Sequence, residues 1–179
     1  MPRRVPALLA LPLLALCAAC AAPTASASGP SPHSEQSYWP GQQALTDAAG
    51  AVDAIGVRWP DVYAGVSLDL PADVLLVHRV PAAGFDEAVR RLVPHVTVRF
   101  VDAEHAALAL DRQAERVVRD VDYWRQRGVS VHSVGTTIGE CVTVGVGDPD
   151  RDAAVVTAHY RGVPLCVEQG APLVPLPAN

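Results

Sequence analysis

The chain of 179 residues contains no lysine, and all 14 of its basic residues are arginine. Such uniformity reflects a GC-rich coding sequence more than a chemistry. Basic runs are missing as well. The formal net charge is −5 at pH 7, and it becomes −7 when Arg3 and Arg4 leave with the leader described below. An acidic chain without a basic stripe has little to offer a polyanion, which argues against nucleic-acid binding. The same lack argues against polybasic contact with a membrane surface. Neither HExxH nor CxxC occurs, and His33, His78, His95, His105, His132 and His159 show no close metal-ligand spacing. No metal and no cofactor is expected. Beyond the N-terminus, no apolar run approaches the roughly 20 residues of a membrane span.

Catalytic constellations are equally sparse. His105 follows Glu104, but that pair reads as the polar opening of a helix. His132 and Ser133 are adjacent in a predicted strand, so their side chains leave opposite faces and form no direct dyad. Gly65-Val66-Ser67 lacks the second glycine of a nucleophile elbow. Gly145-Val146-Gly147 lacks the third glycine of a dinucleotide fingerprint and marks a bulge or strand end. No catalytic residue is assigned, and the chain is not read as an enzyme.

What is present begins with a leader. Arg3 and Arg4 form a positive segment, Val5 to Leu16 an apolar one of about 12 residues, and Ala18-Ala19-Cys20 follows. This resembles a bacterial lipobox, with Cys17 standing where that pattern usually has leucine. Residues 1–19 are expected to be a lipoprotein-type signal peptide, with Cys20 carrying the lipid. The alternative is an ordinary secretory signal cut after Ala27. Residues 20–40, rich in Ala, Ser, Thr, Pro and Gly, cannot bury enough apolar surface to fold and are expected to be a tether. Processing at either site leaves Cys141 and Cys166. Outside the cytosol such a pair is expected to form a disulfide, the alternative being two small buried thiols.

Residues 41–170 carry the folded domain. Leu45, Ala48, Val52 and Ile55 lie at helical spacing over 42–55. Strands are expected at 62–68 and 74–80. A short helix follows with Phe85, Val89 and Leu92 on its buried face, then a strand from Val96 to Phe100 with alternating polarity. A long helix is expected from Ala103 to Arg127, its apolar stripe running through Leu110, Ala114, Val117, Val121 and Trp124. Gly128 is placed to end it. Strands at 129–134 and 141–147 follow, then a helix capped by Asp148 with Pro149 at its first position, then a strand at 163–167. Val62, Val74 and Val96 recur as Val129, Cys141 and Val163 at a step of 67 residues. The expected fold is α/β (α+β): two β-β-α-β units forming mixed sheets with helices packed on one face, joined by the long helix. Residues 171–179, with Pro172, Pro175 and Pro177, read as an extended tail.

The segments Trp59–Leu68 (WPDVYAGVSL), Val74–Val77 (VLLV), Val96–Phe100 (VTVRF) and Gly147–Pro149 (GDP), in this order of elements, resemble the pro-region of secreted α-lytic and streptogrisin-type serine proteases. The likeness covers roughly residues 42 to 168. It implies a domain that folds or inhibits a protease, with its C-terminal tail in the active site, so Leu173, Val174 and Leu176 are candidate partner-binding residues. No protease domain is expected to follow, and any client is expected to be a separate protein. The leading expectation is a non-catalytic exported lipoprotein, bound through its lipid to the outer face of the cytoplasmic membrane and binding an unidentified protein. The alternatives are a secreted soluble form, a stand-alone inhibitor or folding helper of a serine protease, and, more remotely, an unrecognised enzyme.

Overall fold

Leu45, Ala48, Val52 and Ile55 recur at three- and four-residue steps, and the chain coils over Gln42–Gly56 (α1) to bury all four. The structure is a computed structural model, and it describes residues 39–172. The expected signal peptide, Cys20, nearly all of the tether, and Leu173, Val174 and Leu176 lie outside the described residues.

After α1 come β1 (Tyr63–Asp69), β2 (Val74–Arg79), α2 (Phe85–Leu92) and β3 (Thr97–Asp102). The strands form a sheet in the order β1-β2-β3. β1 and β2 are antiparallel, joined by a short turn, while β2 and β3 are parallel, joined by the α2 crossover. Alternate residues Val66, Leu68, Leu75, Val77, Val98 and Phe100 pack with α1 and α2 in one core. Arg79 ends β2 and ties the crossover down, bonding Asp86 of α2 at 2.8 Å and also Asp102 of β3. Leu92, expected on the buried face of α2, is exposed. The backbone leaves the helical region at Val93, and this turns Val93 into the core in its place.

The second unit contains α3 (Ala107–Arg119), α4 (Val121–Gln126), β4 (Val131–Thr137), β5 (Cys141–Val146), α5 (Pro149–His159) and β6 (Leu165–Gln169). Its sheet has the order β4-β5-β6, with the same antiparallel and parallel pairings. Strand starts are displaced from the first unit by 68, 67 and 68 residues. Even the irregularity repeats, because the register slips between Tyr63 and Gly65 and again between Val131 and Ser133. α3 lies on β4 and β5 as α1 lies on β1 and β2. Each unit is therefore α-β-β-α-β.

The single helix expected from Ala103 to Arg127 is corrected in two places. Its first turn is absent because the Glu104 and His105 N–H groups both donate to the carbonyl of Gly139 at 3.1 Å. Its middle is interrupted at Asp120, which leaves helical geometry while its carboxylate accepts the Tyr160 hydroxyl at 2.9 Å. The end falls as expected. Gly128 adopts φ +77°, and the paired bonds Gly128 N–H to Arg125 and Val129 N–H to Trp124 close a Schellman motif. Val129 folds back on Trp124 there, so β4 starts at Val131, two residues later than expected. β6 is likewise delayed to Leu165, because Val163 closes a turn on Tyr160.

Candidate functional site

The β4–β5 turn is the lever that creates the first candidate surface. Gly139 stands at φ +72°, and a Cβ there would lie 2.5 Å from that of Ala103. Only glycine permits so close an approach with that backbone. The turn thus seats against the end of β3, and a groove of about 500 Å³ opens between the units, lined by His78, Asp102, Glu104, Glu140, Cys141 and Cys166 among others.

Cys141 and Cys166 form a disulfide with a Cα separation of 5.9 Å, inside the usual range for a native bridge. The parallel register sets Thr143 beside Cys166, so the bond crosses diagonally from β5 to β6. Both cysteines leave the sheet face opposite the valine core. Cys166 is exposed there, whereas Cys141 is buried, because the groove places first-unit residues over it.

One pair escaped the sequence reading. Ser67 Oγ and His78 Nε2 lie 3.0 Å apart on neighbouring strands. Counting back from the Asp69–Val74 pair places Gly65 opposite His78, and Ser67 shares Gly65's face two residues on. The hairpin register was the signal that could have found it. Burial lowers the His78 pKa, while the charge of Glu140 acts to raise it. Among the described residues no carboxylate hydrogen-bonds His78, and no group of three or more His, Cys, Asp or Glu has metal-binding geometry. His105 and His132 are not drawn into this pair.

A second groove, of about 460 Å³, lies between α3 and β4. Ala114 and Val118 of α3 and Val134 of β4 form its apolar surface, with Asp111, Glu115 and Arg119 along the helix side. Val118 is 55% exposed, a large fraction for valine. Among the described residues β4 pairs only with β5, so it is an edge strand whose outer backbone groups border this groove. Nothing in the sequence marks this surface, because it arises only where the β4 edge meets α3.

Among the described residues no helix is long and apolar enough to cross a membrane. No protein-family model matches the chain, and no curated protein matches it. Among solved structures, "Structure of the PrgH periplasmic domain" is similar at 13% identity over 73% of each chain, with a TM-score of 0.27. A likeness at that level carries no argument here.

Proposed function

We propose that the chain is an exported, lipid-anchored, non-catalytic protein-binding domain of a bacterial cell envelope. The observation that carries the binding reading is the α3–β4 groove, where an unpaired sheet edge borders exposed apolar side chains. Recognition by strand addition needs those two features together: main-chain groups for affinity and side-chain pockets for specificity. The export reading is supported by the leader and by the cysteine pair, since disulfides persist in oxidising compartments. Cys20 is the lipidated residue in this reading, and two acyl chains suffice for stable attachment.

A photo-crosslinking residue placed at Val118 tests the binding reading in the intact envelope, with Arg91 on α2 as the control position. A discrete heavier adduct from position 118 and none from position 91 is expected. Absence of adducts from position 118 and from every other exposed position would overturn it. The anchor is checked separately by fractionation. Cys20→Ser is expected to release the protein into the medium, and a wild type already fully soluble contradicts lipidation.

A further inference from the structure

We infer that the α3–β4 groove receives an extended peptide segment carrying small apolar side chains and a basic one, which joins the second sheet as a strand beside β4. This deepens the protein-binding reading and rests on it. The sheet edges point to β4 first. Natural edges are blunted by charge or proline to prevent strand addition. β1 carries Asp69, β3 carries Arg99 and Asp102, and β6 carries Glu168. β4, with the sequence VHSVGTT, holds no acidic residue, no arginine and no proline. Gly135, next to its midpoint, has open space where a Cβ would be, so the strand carries no side chain into the groove there.

The helix side then selects the side chains. Ala114 and Val118 stand one turn apart, and Asp111, Glu115 and Arg119 follow each other at the same step, so α3 presents an apolar row beside a charged one that is acidic at its Asp111 end. Glu115 has Arg119 at 3.9 Å, both widely exposed, while Asp111 has no ion-pair partner among the described residues. A strand laid along β4 directs every second side chain toward α3. Two small apolar residues flanking one basic residue match that sequence of surfaces, and the negative charge of the chain favours the same sign of partner. The chain's own tail fits poorly: Pro172, Pro175 and Pro177 donate no N–H, and residues 171–179 contain no basic side chain.

The test uses the isotopically labelled full chain with Cys20→Ser, which keeps it in solution. It is titrated with a hexapeptide of valine-threonine-arginine-threonine-valine-threonine, and with the same peptide bearing glutamate for arginine. Shifts in the amide spectrum are expected along Val131–Thr137 and Asp111–Arg119 with the arginine peptide. Asp111→Arg, a change at an exposed position, is expected to weaken that peptide roughly fivefold and to strengthen the glutamate peptide comparably. Stronger binding of the glutamate peptide to the unsubstituted chain would overturn the charge assignment. Concentration-dependent shifts along β4 without any peptide would make a second copy the occupant and overturn the inference. Shifts confined to other strands would overturn the groove assignment, with the protein-binding reading left standing on an adduct from position 118. No shifts with either peptide, together with no adduct at any exposed position, would remove both.

Discussion

The crossover helix of the first unit begins with Phe85, buried against Trp59 at a ring separation of 5.5 Å and against Tyr63 at 6.3 Å. At the same 67-residue step, the second unit has Asp152, only 3% exposed and held by Arg151 at 2.6 Å. One topology therefore accepts an aromatic or a carboxylate at an equivalent buried position. The aromatic volume has moved elsewhere in the second unit. Trp124 and Tyr160 fill its core, with the indole N–H donating to the Tyr160 hydroxyl at 2.9 Å and that hydroxyl donating to Asp120. The Cys141–Cys166 bridge adds a covalent tie that the first unit lacks, since Val74 stands where Cys141 would be. The first unit is an aliphatic core with an aromatic lid. The second depends on a hydrogen-bonded aromatic pair and a cross-link.

That contrast is most directly broken by removing the large aromatic of the second core. Trp124→Ala is expected to destabilise the protein by about 3–5 kcal/mol, as large aromatic truncations do. It also removes the donor that anchors Tyr160. Urea unfolding reads the effect, and a change below about 1 kcal/mol would show that the second core is not built on Trp124. Breaking the bridge comes next. Replacing Cys141 and Cys166 together by alanine should remove about 2–4 kcal/mol, with faster amide exchange concentrated in α5 and β6. Equal loosening of the first unit would contradict the division drawn here.

Helix starts sharpen the comparison on a smaller scale. Asp148 caps α5 by accepting from Arg151 N–H at 3.2 Å, whereas Gly84 precedes α2 with no side-chain cap. Asp148→Ala is expected to lower stability by about 1 kcal/mol in thermal or urea unfolding.

Titration separates the units with the smallest effects. Burial raises the Tyr160 pKa to about 12, helped by the Asp120 bond and opposed by the Trp124 donor. Its contribution to stability is therefore complete below the ordinary phenol value and disappears as pH climbs toward 12. Ultraviolet titration of Tyr160→Phe against the unsubstituted chain should show one late-ionising phenol lost. In the first unit, burial depresses His78, and Asp102, Glu104 and Glu140 line the same groove. The neutral ring is the favoured form, so its contribution is present above the ordinary imidazole value and is lost as pH falls through the lower folded one. His78→Gln should flatten that acid slope and leave the alkaline limb unchanged.

Strand alternation and helical stripes were legible in the sequence because burial of one face dictates them locally. Val142, Val144 and Val146 declared their face, and the repeated strand starts revealed two units. The disulfide followed from the exported setting and from the two cysteines left after either processing site. What was not legible depends on contacts between distant segments. The missing first turn of α3 is set by Gly139, some 35 residues away, and the break at Asp120 by Tyr160, 40 residues on. The Ser67–His78 pair needed the hairpin register. The α3–β4 groove needed to be seen as an edge strand meeting a helix, since neither element alone distinguishes a binding surface from a solvated one.

The central claim is that the edge of β4 is open for strand addition while the other edges are not. Amide hydrogen exchange of the full chain, with and without saturating arginine-bearing hexapeptide, measures this strand by strand. The account predicts slowed exchange across Val131–Thr137 and no change in β1, β3 or β6. Equal slowing at those edges, or none at β4, would contradict it.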